Sequence, residues 1–241
     1  MIYIYDGSFE GFCSAVFTAY NDTEAMIYSR FHDVPPLLER TIVRTDERKS
    51  ERLQSGVQNK LSRLILSDLY LIYLSDTLSC GTAALKYLRF CFKNGKGSRA
   101  LRYVPEVKEA LSLRDKVMTE VDKLRGLIRF DKAREGLYIS RIEPDHNILP
   151  LIAHHFASRM RSHSFVIHDI RRGLAICSKN GSFVITELPE DFEFAVNDDD
   201  FREMWKEYFD AMAIKERINP KLQRQHMPKR YWKHITEMKK N

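Results

Sequence analysis

Nowhere in the 241 residues is there an apolar run of the roughly 18 residues that a membrane helix needs, so no bilayer span is expected. The opening "MIYIYDGSFEGF" has no basic segment ahead of an apolar one and no cleavage pattern, so no secretory leader is expected and the cytoplasm is the expected compartment. Cysteine is scarce and scattered. Cys13, Cys80, Cys91 and Cys177 form no Cys-x-x-Cys pair, which argues against a zinc ribbon, a thioredoxin-like motif or an iron–sulfur cluster; free, mostly buried thiols are expected. A Gly-x-Ser-x-Gly elbow is missing too, so Asp6-Gly7-Ser8 reads as a turn and a helix cap, not as a nucleophile. With no internal repeat and no low-complexity linker, 44% hydrophobic and 30% charged residues describe an ordinary folded chain.

What is present in excess is unevenly placed charge. Residues 187 to 210 carry ten acids against Arg202 and Lys206, and the tail from residue 215 then carries nine basic residues against two acids. The tail's charge of +7 exceeds the chain's +6. Either the two segments neutralise each other, or the tail reaches an external polyanion. A second basic stretch, "KYLRFCFKNGKGSRALRY", holds Lys86, Arg89, Lys93, Lys96, Arg99 and Arg102 with no acid.

Periodicity indicates an α+β protein with a helix-rich N-terminal half and an antiparallel sheet carrying a packed helix in the C-terminal half. "IYIY" reads as a strand ending at Asp6-Gly7, and Ser8 then caps a helix whose stripe is Phe9, Phe12, Cys13, Val16, Phe17 and Tyr20. Helices follow over 47–60, 63–76, 82–95 and from Pro105 to about Leu124, with Gly126 as the stop. Beyond a boundary at 125/126 between two packed subdomains, a hairpin around 134–136, a helix over 147–161 and three strands joined by short turns are expected. An acidic helix over 199–213 and the basic tail complete the chain.

Candidate chemistry gathers in "EPDHNILPLIAHHFASRM". On a helix from Asn147, His155 and Arg159 fall in or beside the apolar stripe of Ile148, Leu151, Ile152, Phe156 and Met160, whereas His154 faces away. Polar groups so placed need partners: Asp145, Asp169 or Glu143 would supply them structurally, or Asp145, His155 and Arg159 would form a catalytic pocket. His146, His155 and His168 with Asp145 and Asp169 are metal-ligand types, but their spacing fits no compact motif, and neither metal nor cofactor is expected. Asp6 and Glu10, where the first strand meets the first helix, form a second candidate pair for acid–base work, with cap and dipole roles as the alternative. "GKGSRALR" lacks the spacing of a phosphate loop. In the tail, Lys and Arg suit phosphates, Asn219, Gln223 and Gln225 offer amides, and Tyr231 and Trp232 either offer faces for a base or are buried as core anchors, Trp232 above all.

Several of these motifs, "YIYDGSFEGFCSAVF", "KLRGLIRF", "EPDHNILPLIAHHFASR", "VIHDIRR" and "RINPKLQRQHMPKRYWK", occur in order from residue 2 to about residue 237. Together they resemble a family of DNA metabolism and repair proteins built on domain of unknown function 4130. The matching residues are Asp6, Gly7, Phe9, Glu10 and Gly11; Arg125, Gly126, Arg129 and Phe130; Asp145, His155, Arg159 and Asp169; and Arg217, Asn219, Lys221, Gln223, Pro228, Arg230 and Trp232. Such proteins are typically encoded beside a radical S-adenosylmethionine (radical SAM) DNA repair protein, and a related domain is fused to a uracil-DNA-glycosylase-like module. The resemblance therefore implies an accessory that binds single-stranded or damaged DNA while a radical SAM partner does the chemistry. DNA would be held by Arg217, Asn219, Lys221, Gln223, Lys229, Arg230 and Trp232, with Trp232 as the anchor, and by the basic run from Lys86 to Arg102. The alternatives are an enzyme acting on a nucleobase or phosphodiester at Asp145, His155 and Arg159, and a protein-interaction subunit without direct DNA contact.

Overall fold

Ile2-Tyr-Ile-Tyr5 alternates too briefly to stand alone, and it is stabilised as the middle strand of a small sheet. In the computed structural model, which describes residues 1–32, 39–133, 136–188, 224, 226–235 and 238, β1 (Ile2–Tyr5) pairs in parallel with β2 (Met26–Ser29) on one side and β3 (Arg40–Ile42) on the other. Only β1 is expected from the sequence as a strand. β2 and β3 have four and three residues, too few for a period, and each depends on a partner distant in the chain. Between β1 and β2 runs α1 (Phe9–Thr18), capped as expected by Ser8, whose Oγ accepts from the Gly11 N–H at 2.9 Å. Phe12, Cys13 and Val16 are fully buried beneath it.

The chain forms two compact units, Met1–Met118 and Thr119–Asn241. In the first, α2 (Glu47–Lys60) and α3 (Arg63–Leu74) start at Asp46 and Ser62, whose side chains accept from backbone N–H groups three residues on. Helix α4 (Cys80–Asn94) ends at Gly95, whose φ of 82° suits a residue without Cβ, and a 3-10 turn over Lys96–Ala100 follows. Next comes α5 (Pro105–Leu127), with proline in its first turn. Gly126 does not stop α5, because Leu124 and Ile128 on either side are both buried and keep the backbone helical past it. The core of this unit gathers Phe12, Ile65, Leu69, Ile72, Leu85, Tyr87 and Leu88.

In the second unit β4 (Asp131–Lys132), β5 (Leu137–Ile142), β6 (Ser164–Asp169), β7 (Leu174–Lys179) and β8 (Ser182–Glu187) lie in chain order. α6 (Leu149–Arg159) joins β5 to β6 and packs toward β7 and β8. The α+β architecture is as expected, but the sheet is mixed rather than antiparallel. β5 and β6 run parallel, Leu137 opposite Ser164, because a helical crossover returns the chain to the edge it left. The other pairs are antiparallel, and the β7–β8 turn places Asn180 and Gly181 at φ of 54° and 79°. Phe130 packs edge-on against Phe156 and Phe165 in the core. Among the described residues no helix is long and apolar enough to cross a membrane. Cys13, Cys80 and Cys91 are buried free thiols, and burial pushes them up to about 12, 12 and 11 respectively.

Candidate anion-binding sites

Residues 143 to 147 form the loop between β5 and α6, and three elements fasten it. Glu120, from α5 and only 4% exposed, accepts from the backbone N–H groups of Asp145 and His146 at 2.9 Å each and from the Tyr231 hydroxyl. Arg172, from the β6–β7 turn, donates to the carbonyls of Pro144 and Asp145 while pairing with the buried Asp169 at 3.0 Å. Burial raises the Asp169 carboxyl above its usual value, and Arg172 partly offsets this. The third element is a 3-10 turn over Lys229–His234. There Arg230 meets the Asp145 carboxylate at 2.7 Å, and Lys233 and His234 meet Glu143 at 2.5 and 3.2 Å. The Lys233 ammonium holds the Glu143 carboxyl below its usual value against the opposing effect of burial.

This part of the basic tail is thus docked on Glu120, Glu143 and Asp145. Tyr231 is its anchor, 2% exposed, while Trp232 is half-buried, donates Nε1–H to the Met227 carbonyl and lies 5.9 Å from the exposed Lys229 ammonium. The charge of Arg230 is met internally. Arg217, Asn219, Lys221, Gln223 and the acidic helix expected over 199–213 lie outside the described residues.

The expected carboxylate partners of His155 and Arg159 are thereby engaged elsewhere: Asp145 by Arg230, Asp169 by Arg172, Glu143 by Lys233. Two arginines act on His155 instead. Burial lowers its imidazole pKa first, and the charges of Arg125 and Arg159 lower it further. Arg125, at the end of α5, reaches α6 by donating Nη2–H to the Leu151 carbonyl at 3.2 Å, one turn before His155; Arg159 is one turn after. The Arg125 Nη1 also sits 3.7 Å from Asp122, which is largely exposed. His155 Nε2 and Arg125 Nε are both shielded from solvent with no hydrogen-bond partner among the described residues, a costly arrangement for polar groups unless a partner arrives from outside. His154 faces solvent.

The basic stretch of the first unit divides in two. Arg89 donates to the carbonyls of Ala19, Tyr20 and Asp22 at 2.7 to 2.8 Å, closing the end of α1. Arg99 forks onto Asp68, 2% exposed, at 2.6 and 3.1 Å, where the Tyr87 hydroxyl also donates. Lys86, Lys93 and Lys96 are exposed, and Arg102 is exposed beside Asp115 at 3.1 Å. At the other candidate pair, Glu10 is exposed, whereas Asp6 accepts from the Ser8 N–H and hydroxyl and from the Thr45 hydroxyl, at 2.9, 2.7 and 2.6 Å. Burial opposes ionisation of Asp6, but these donors and Arg30 outweigh it and leave its pKa lowered. Around Asp6 a cleft of about 690 Å³ opens at the carboxyl ends of β1 and β2 and runs along β3, lined also by Arg30, His32, Arg40 and Arg44. Among the described residues no group of three or more His, Cys, Asp or Glu is placed to hold a metal ion.

Sequence reasoning did not single out Glu120, Arg172 or the cleft arginines. Glu120 carried a signal, since it occupies the α5 stripe between Val117 and Leu124, where a carboxylate needs a buried partner. The arginines carried none, because strands β2 and β3 had to be known first.

No curated protein matches the chain. The family model of the domain of unknown function DUF4130 matches residues 79–237, well over half of the chain, and so spans the docked loop, the His155 cluster and the tail while leaving the first sheet outside. The chain belongs to the DUF4130 family.

Proposed function

We propose that the protein is a DNA-binding accessory of DNA repair, which grips the phosphate backbone while a radical SAM partner performs the chemistry. The observation that carries this reading is the Arg125, His155 and Arg159 cluster, where two guanidinium groups act on one imidazole and two shielded nitrogens have no hydrogen-bond partner among the described residues. A phosphate offers such donors oxygens on several sides, and Arg is suited to engage it through two N–H groups at once. Exposed Lys86, Lys93, Lys96 and Lys229 supply further charge for backbone binding independent of sequence. Trp232, half-buried with Lys229 beside it, offers a ring for one unpaired base. The partner rests on the family resemblance, and the lack of a cysteine cluster agrees with radical chemistry residing elsewhere.

Protonation of His155 couples to this role. Burial and the two arginines lower its pKa in the free protein, and a phosphate would raise it, so binding takes up a proton and strengthens as pH falls through the interval between the bound and the free value. Fluorescence anisotropy with a single-stranded oligonucleotide, titrated from about 50 mM to about 200 mM salt, tests the reading. Affinity should fall steeply with salt, and His155→Ala/Arg159→Ala should weaken it about tenfold or more while reducing the salt slope by about one for each phosphate no longer neutralised. His155→Gln should flatten the pH dependence. Absence of binding at low salt, or a double variant that binds like the parent, would remove this function.

A further inference from the structure

The first sheet has a feature that DNA binding leaves unused. Its strand order is β2-β1-β3, all parallel, so the chain leaves the middle strand toward one neighbour and reaches the other neighbour later. In open parallel sheets the crevice outside the carboxyl ends, where connections diverge from adjacent strands, is left uncovered by the crossovers and collects ligands. The cleft of about 690 Å³ opens there and extends along β3 to Arg40, within the size range of small-molecule sites.

Its lining has two characters. Arg30, immediately after β2, Arg40 at the start of β3 and Arg44 just beyond it all contribute, together with His32. Among the described residues the one acid lining the cleft, Asp6, already accepts three hydrogen bonds from Ser8 and Thr45, so its lone pairs are directed into the β1–α1 turn and its charge is partly met by its own donors. The balance facing a ligand is therefore cationic. The second character is apolar. Ile42 lines the cleft at 80% exposure, beside Val43, Tyr5 and Ile4. A β-branched residue so exposed gains from being covered by a flat, apolar surface. Arg30 is also held in place, its guanidinium 4.7 Å above the ring of Phe31.

We propose that this cleft binds a nucleotide, with phosphates on Arg30 and Arg44 and the base against Ile42. Phosphate alone would leave Ile42 uncovered, and an uncharged ring would leave the arginines unused. The site lies in residues outside the span matched by the family, and it stands independently of the Arg125, His155 and Arg159 cluster.

The experiment is isothermal titration of the full chain with ADP, with adenosine as control. ADP should bind saturably at one site per chain, and adenosine about tenfold more weakly or not at all. Arg30→Ala/Arg44→Ala should weaken ADP at least about tenfold, as two charge-assisted hydrogen bonds require. Both side chains are exposed, so the thermal midpoint should be unchanged, and Ile42→Glu, equally exposed, gives a second test by placing a carboxylate where the base would lie. His155→Ala/Arg159→Ala should leave ADP affinity intact. The proposal is overturned by the absence of saturable ADP binding, by adenosine binding as tightly as ADP, by ADP affinity that survives both cleft variants, or by its loss in the His155/Arg159 variant.

Discussion

Replacing Glu120 by Ala tests how the tail is held. The carboxylate is 4% exposed and accepts from two backbone N–H groups and from the Tyr231 hydroxyl, with the Arg230 guanidinium 3.6 Å away. Hydrogen bonds to a charged group contribute about 1.5–3 kcal/mol each, and removal leaves the donors of Asp145 and His146 without their acceptor. Arg230 keeps Asp145 as a partner, which limits the damage. The expected loss is thus about 3–5 kcal/mol, the range seen when one member of a buried ionic group is deleted. That is a large part of an ordinary domain's stability of about 5–15 kcal/mol. Glu120→Gln keeps an acceptor but presents an amide N–H₂ to one former donor, so it should cost about 1–3 kcal/mol. Urea denaturation followed by far-ultraviolet circular dichroism reads the loss, and the rate of tryptic cleavage after Lys229 and Arg230 reads the release of the tail. A loss under about 1 kcal/mol with an unchanged cleavage rate would show that Glu120 does not organise the loop and tail.

Three further outcomes are expected. Arg99→Ala should destabilise the first unit by about 3 kcal/mol, because Asp68 then keeps the neutral Tyr87 hydroxyl and, as its nearest cation, the Arg114 guanidinium at 3.7 Å, whereas Lys96→Ala should leave stability unchanged and weaken oligonucleotide binding; equal stability in thermal melts would contradict the assignment of Arg99 to the fold. Gly11→Ala should destabilise by about 1–3 kcal/mol despite alanine's helical preference, since the added Cβ would lie 2.1 Å from Asp6 Oδ1 and 2.9 Å from Thr45 Oγ1; a raised midpoint would show that the β1–α1 turn yields. Tail docking should weaken with acid. The Glu143 pKa is held below its usual 4.5 by Lys233, so its contribution is present above that value and is lost as pH falls through the folded pKa; acid-active proteolysis of the tail should accelerate there, and Glu143→Gln should cleave rapidly at every pH.

The readable parts of the sequence were those whose cause is local. The Ser8 cap and the Phe12, Cys13 and Val16 stripe place α1, Pro105 starts α5, and Asn180-Gly181 makes the β7–β8 turn, because each depends on residues within one turn or hairpin. The same locality made His155 and Arg159 visible as polar groups on an apolar helix. Their partner was not visible, because any of three acids lay within reach in sequence while Arg125, a cation, reaches across from α5 to α6. Trp232 looked like the anchor by size, but Tyr231 took the buried place because its hydroxyl finds Glu120, 111 positions away.

The sequence by itself determined α1 to α6 to within a few residues, the hairpins, the surplus of positive charge in the tail and membership of an α+β class, since propensity, caps and periodicity act over a few residues. Tertiary structure alone decided that β2 and β3 exist, that β5 and β6 run parallel, and that Arg89 and Arg99 serve the fold while Lys86, Lys93 and Lys96 remain exposed. Short strands are stabilised only by their neighbours, and a charge is either a binding group or a structural one according to which acceptor the folded chain brings within about 3 Å.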